Sequence, residues 1–172
     1  KQVIETNELA ARFYQACLTK SSYGKAALTY LHKRGISDEI ISSFSIGYAL
    51  NSFDSLLNAL GKRGYSQELL MQAGLAVPGK NSGAYDKFRN RVMIPIKDPR
   101  GRIVGFTGRI LGDGMPKYMN TGETEYFIKR YLLFGLDIAV NEIRKTRQAI
   151  VVEGHMDAIS LHAAGVTNAV AS

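Results

Sequence analysis

At residue 85 the spacing of apolar side chains changes from the period of a helix to the period of a strand, so the chain must join two kinds of structure. In "YDKFRNRVMIPIKDPRGRIVGFTGRIL" Val92, Ile94 and Ile96 alternate with Arg91, Met93 and Lys97, the two-residue repeat of a strand with one face inward. "DPRG" places Asp, Pro and Gly at the first, second and fourth positions of a type I turn, which predicts a hairpin. If the extended phase runs back to residue 87, Lys87, Arg89 and Arg91 lie together on the face opposite the apolar one. Like charges at that spacing repel, so the face suits phosphates; a solvated edge strand guarded by charge fits the same pattern.

Residues 1 to 76 carry the other texture. Leu9, Phe13 and Ala16, then Ala27, Tyr30 and Leu31, then Leu56, Leu57 and Leu60 form the stripes of short amphipathic helices. "KRGISDEII" and "KRGYSQELL" repeat one junction: a basic helix end, a Gly suited to a left-handed C′ position, and a Ser able to cap the next helix. A DNA-reading helix-turn-helix has this order, but capping alone also writes it.

Charge is unevenly placed. The net +7 lies wholly in residues 80 to 147, which hold fourteen Lys and Arg against seven Asp and Glu, while the rest holds eight against eight. A local surplus of this kind points to a polyanion-binding face. Residues 112 to 122, rich in Gly, Pro, Asn and Thr, read as a loop exposing Lys117, Tyr118 and Asn120, where a phosphate can pair with the cation and a base can stack on the ring. Cys17, the one cysteine, sits at helical spacing among aromatics and reads as core packing. The absence of a long apolar run and the charged, amphipathic start predict a soluble, intracellular, cytoplasmic protein.

The end of the chain predicts a β-α-β unit. Ala149 to Val152 read as a short buried strand, Gly154 as a turn, Met156, Ile159, Ser160 and Ala163 as a helix, and "NAVAS" as a second strand. Glu153 stands at the carboxyl end of the first strand, where α/β sheets place ligand chemistry. A carboxylate there meets a metal ion, a hydrogen-bond donor or water.

"VVEGHMDAISLHAAGVTNAVAS" resembles the first half of a Toprim domain, and the "RNRVMIPI" to "PKYMN" portion, with "YLHKRGIS" and "FSIGYA", is similar to bacterial replicative primases of the DnaG type. The resemblance covers nearly all of the chain from Phe13. It implies an α+β fold: a mixed helix and sheet basic subdomain over 1–147, then the first β-α-β of an α/β Toprim domain over 148–172. It implies RNA primer synthesis on a single-stranded DNA template from ribonucleoside triphosphates, with Mg2+ or Mn2+. Glu153 matches the family's metal-binding or proton-transferring glutamate, and Lys87, Arg89, Asn90, Arg91, Arg109, Lys117, Tyr118, Asn120 and Lys129 fall where the family contacts nucleic acid or nucleotide. His155 stands where the family more often has Tyr. Zinc belongs to a separate preceding module, and a replicative helicase to a following one. The Asp-x-Asp pair that a Toprim site needs is missing before Ser172, so the chain reads as a catalytically incomplete fragment with an exposed sheet edge near Val170. A Toprim nuclease, a phage primase-helicase piece and a non-enzymatic single-strand-binding module share these features.

Overall fold

Five helices build the first half of the chain: α1 (Gln2–Thr19), α2 (Lys25–Lys33), α3 (Asp38–Ser43), α4 (Ser55–Gly61) and α5 (Gln67–Gln72). The computed structural model describes residues 1–81 and 83–172. Both repeated junctions form as the capping chemistry requires. Gly35 and Gly64 take the left-handed conformation at φ +78° and +87°, and the hydroxyls of Ser37 and Ser66 accept the Ile40 and Leu69 amides at 3.4 and 3.2 Å.

The inward face of α1 differs from the expected stripe. Asn7, Ala10, Ala11, Tyr14, Cys17 and Leu18 are buried, whereas Leu9, Phe13 and Ala16 are half-buried. α1 crosses the sheet so closely that a Cβ on Gly47 would lie 2.5 Å from the Tyr14 carbonyl carbon. The contact therefore selects small residues and pushes the bulky ones to its flanks. Burial raises the Cys17 thiol to about 11, in keeping with an inert core residue.

The strands of this half are β1 (Gly47–Ala49), β2 (Ala76–Pro78), β3 (Ala84–Asp86), β4 (Arg91–Lys97), β5 (Ile103–Ile110) and β6 (Tyr118–Asn120). β1, β4, β5 and β6 form an antiparallel sheet in the order β1-β4-β5-β6, and β2 and β3 pair separately. The predicted hairpin is β4 and β5; its turn closes with the Gly101 amide donating to the Asp98 carbonyl at 2.9 Å. Tyr118, Met119 and Asn120, expected in a loop, belong to β6, because their backbone pairs with β5 from Arg109 to Thr107.

β4 has two inner faces. Val92, Ile94 and Ile96 pack with Leu31, Ile36, Phe44 and Val104 in one core, and Met93 packs with Tyr14, Leu70, Phe88 and Phe106 in the other. Its two-residue alternation thus separates core from core instead of core from solvent. Even Arg91 is only 3% exposed.

α6 (Leu136–Thr146), β7 (Ile150–Val152), α7 (His155–Ala163) and β8 (Ala169–Ala171) complete the chain. Ala139 is the buried residue of α6, with Leu136, Val140 and Ile143 half-buried. β7 and β8 run parallel on either side of α7, the predicted β-α-β unit. The strand expected to be buried is not: Ile150 and Val151 are 41% and 59% exposed, whereas Val170 is 1% exposed. β8 is flanked by β7 on one side and by Phe134 on the other, the Phe134 and Ala171 amides and carbonyls bonding at 2.9 and 3.0 Å. The bare edge is therefore at β7 and not at Val170. Met156, Ala158, Ile159 and Ala171 share a core with Leu31, Val92 and Ile94, so one apolar interior spans the position 147/148. Among the described residues no helix is long and apolar enough to cross a membrane.

Candidate nucleic-acid interface

Residues 87–90, expected to extend β4, form an irregular ribbon between β3 and β4. Asn90 sits in the left-handed region at φ +51°, a conformation that Asn tolerates better than most residues. This kink and the buried Phe88 break the alternation, and Lys87, Arg89 and Arg91 diverge instead of sharing a sheet face. The Lys87 ammonium donates to the Asn120 carbonyl at 2.8 Å, and Arg91 Nη1 donates to the Gly108 carbonyl at 3.0 Å. Burial lowers the pKa of both, with the nearby Arg89 charge adding to the effect at Arg91. Asn90 is spent internally: its Oδ1 accepts from the Tyr48 hydroxyl at 2.7 Å and its Nδ2 donates to the Leu111 carbonyl at 3.1 Å.

Arg89, half-buried like Lys87, lies against aromatic rings. Its guanidinium lies 4.5 Å from the Phe53 ring centroid and 5.3 Å from that of Tyr85. The two rings meet at 5.8 Å and 69°. Phe53 is 64% exposed, so an aromatic surface with a cation against it faces solvent.

A second stack stands on β5 and β6. Arg109 lies 4.9 Å from the Tyr30 centroid and 5.8 Å from that of Tyr118, and Arg34 lies 5.4 Å from Tyr30. Arg109 and Thr107 pair with Tyr118 and Asn120 across the strands, which puts all four on one face of the sheet. Four buried atoms of this region, Tyr30 Oη, Thr107 Oγ1, Arg109 Nε and Asn120 Oδ1, have no hydrogen-bond partner among the described residues. Buried polar atoms are normally hydrogen-bonded, so these four are exceptions that cluster around the Arg109 side chain. Lys117 is exposed on the approach to β6.

Asn120, Lys129 and His155 line a narrow cleft with Phe127, Phe134 and Ser172. His155 packs edge-on against Phe134 at 4.8 Å, and burial together with the charge of Lys129 lowers its pKa. Glu153 lies two residues before His155, exposed just past β7, as expected for a residue at a strand tip. Asp157 reaches back to the start of α7: its Oδ2 would sit 2.6 Å from a Cβ on Gly154, the place where a carboxylate stabilises a helix N-terminus. Among the described residues no group of three or more His, Cys, Asp or Glu is placed to hold a metal ion. Glu153 can still serve a magnesium ion, which commonly takes one or two carboxylates and completes its shell with water and phosphate oxygens.

The sequence pattern did not single out Phe53, Tyr85 or Arg34, and it treated Tyr30 as a core residue. The one local signal was an aromatic residue inside the polar turn "NSFDS". The stacking partners of Phe53 lie more than thirty positions away.

The fold is that of the catalytic cores of primases. A DnaG primase catalytic domain bound to single-stranded DNA superposes with a TM-score of 0.92 at 39% identity, over 99% of this chain and 55% of that one. The Escherichia coli primase catalytic core gives 0.88 at 38%, over 98% and 54%. The RNA polymerase domain of Mycobacterium tuberculosis primase DnaG, in complex with double-stranded DNA carrying a 6-nucleotide overhang, gives 0.92 at 37% identity, over 99% and 54%. The chain belongs to the family of the DNA primase catalytic core, N-terminal domain, whose model matches residues 13–140. The DNA primase of Staphylococcus aureus strain MSSA476 is 45% identical over 99% of this chain, and that of Deinococcus radiodurans is 44% identical over 100%. The chain spans 28% and 29% of the length of these two relatives.

Proposed function

We propose that this chain is the template-holding part of a bacterial DnaG-type primase, a nucleotidyltransferase that makes short RNA primers on single-stranded DNA during replication in the cytoplasm. The observation that carries the reading is the exposed Phe53 with Arg89 over its ring and Tyr85 edge-on to it, since ring faces take bases of any sequence while the cation meets the backbone. Among similar proteins, one DnaG catalytic domain is described as bound to single-stranded DNA.

In this reading Arg89, Lys117 and Tyr118 contact the template strand, and Arg109, Asn120 and Lys129 meet phosphates of the strand or of a ribonucleoside triphosphate. Lys87, Asn90 and Arg91 act mainly by shaping the ribbon that carries Arg89. Residues 1–147 form the basic subdomain and 148–172 the start of a Toprim domain. Glu153 holds magnesium or manganese in the complete enzyme, where the ion would neutralise charge developing on triphosphate oxygens. The further acidic groups of that site, a zinc module and a helicase-binding module belong to the rest of the longer protein.

The test is binding of an oligothymidylate to the chain at several salt concentrations. The logarithm of affinity should fall against log salt by about 0.7 per phosphate neutralised. Replacing Arg89, Lys117 and Lys129 together by Ala should weaken binding and flatten that slope by about 2, on the same relation. Replacing Lys20 and Lys62, exposed and distant in sequence from these groups, should change neither. An unchanged slope in the triple variant would place the strand elsewhere.

A further inference from the structure

Asp86 is 1% exposed, lies outside the groups assigned to nucleic acid, and binds both halves of the aromatic stack. Its Oδ2 accepts the Leu56 amide at 2.8 Å and the Ser55 hydroxyl at 3.1 Å, and its Oδ1 accepts the Leu57 amide at 3.1 Å. It thereby caps α4 from thirty residues away, a service that the adjacent Asp54 side chain does not perform. The main chain of Asp86 completes the arrangement. Its amide donates to the Phe53 carbonyl at 2.7 Å, and its carbonyl accepts Arg89 Nη1 at 2.6 Å.

Phe53 stands two residues before α4 on the turn that enters the helix. Its ring is mostly in solvent, so packing cannot hold it in place; what holds it is the backbone on either side. At one end, the Asn90 amide donates to the Leu50 carbonyl at 3.3 Å. At the other, the Asp86 carboxylate fixes the first turn of α4. Arg89 leaves the same residue three positions later. The buried carboxylate therefore sets the helix end that carries the ring, while the main chain of the same residue holds the Phe53 carbonyl and the guanidinium.

We propose that Asp86 is a positioning residue for single-strand binding: its side chain touches no nucleic acid but holds the Phe53 ring in the register with Arg89 that accepts a base. The proposal rests on the reading that this stack meets the template. Loss of the carboxylate frees the α4 end of the turn and lets Phe53 turn away from Arg89, so a strand loses a preorganised platform and must order it on binding.

The test measures oligothymidylate affinity and urea unfolding for the 172-residue chain and five variants. Phe53→Ala should weaken binding about tenfold, the scale of one lost base stack. Asp86→Asn, which keeps the shape but replaces one acceptor by a donor, should weaken it by a similar factor, and the Phe53→Ala/Asp86→Asn double variant should bind no more weakly than Phe53→Ala alone. Ser66→Ala removes the cap of α5; it should lower the unfolding midpoint and leave affinity unchanged, which separates positioning from general loss of stability. Additive effects in the double variant, or wild-type affinity in Asp86→Asn, overturn the proposal while leaving the nucleic-acid reading intact. Wild-type affinity in Phe53→Ala overturns both. If Asp86→Asn does not fold, Ser55→Ala withdraws one donor from the carboxylate and should weaken binding about twofold, again without adding to Phe53→Ala; wild-type affinity in Ser55→Ala then overturns the proposal.

Discussion

Gly47→Ala should destabilise the chain strongly. A Cβ at this position would lie 2.5 Å from both the carbonyl carbon and the Cβ of Tyr14 and 2.8 Å from the Gln15 nitrogen. Two of the three are backbone atoms of α1, so no side chain can rotate aside, and the helix itself must lift. Lifting α1 uncovers Ala10, Tyr14 and Leu18, all buried against the sheet and its neighbours. Overpacking against rigid neighbours typically costs about 1–3 kcal/mol, and more where backbone must shift, against a total stability on the order of 5–15 kcal/mol. Urea unfolding should show a midpoint far below that of the unaltered chain, or no cooperative transition. Gly61→Ala is the comparison, since nothing lies within 4 Å of a Cβ there and it ends α4; its midpoint should stay the same or rise slightly. Equal midpoints for the two variants would mean that α1 and the sheet are not in the close contact described.

Glu153→Gln, made in the full-length protein, should reduce primer synthesis by on the order of 100- to 1,000-fold, the usual loss when one group stabilising transition-state charge is removed. Affinity for the template strand should not change, because Glu153 lies beyond β7 while the aromatic stack rests on Phe53, Tyr85 and Arg89. Gln keeps the shape and removes the negative charge that a hard cation prefers. Normal synthesis by the variant would remove Glu153 from the chemistry. The 172-residue chain by itself should make no primers with either magnesium or manganese, since it lacks a cluster of ligands among the described residues. It should hold manganese only weakly in a spin-resonance titration.

Features decided by a few consecutive residues were legible in the sequence. The turn at "DPRG", the two Gly and Ser junctions and the β-α-β unit each follow from local chemistry, and each is present. Features decided by distant partners were not. The buried face of α1 depends on Gly47, about thirty residues later, which admits the helix backbone and leaves no room for large side chains. The expected row of Lys87, Arg89 and Arg91 failed at Asn90, whose left-handed backbone is held by Leu50, Tyr48 and Leu111. Apolar composition suggested that Ile150 and Val151 are buried, yet hydrophobicity says what a strand can pack against and not whether a neighbour covers it. The charge surplus lies in residues 80 to 147, but the aromatic partners of Arg89 and Arg109 come from residues 30, 53, 85 and 118, a grouping that only the fold creates.

The bond between Phe134 and Ala171, together with the interior shared by Ile94, Val104, Met156 and Ile159, has a mechanical consequence. The β7–α7–β8 unit is joined to the sheet by packed side chains and a backbone bridge and not by a tether. Under the proposed function, the interval between the template-holding groups and the carboxylate of Glu153 is then a dimension that folding sets.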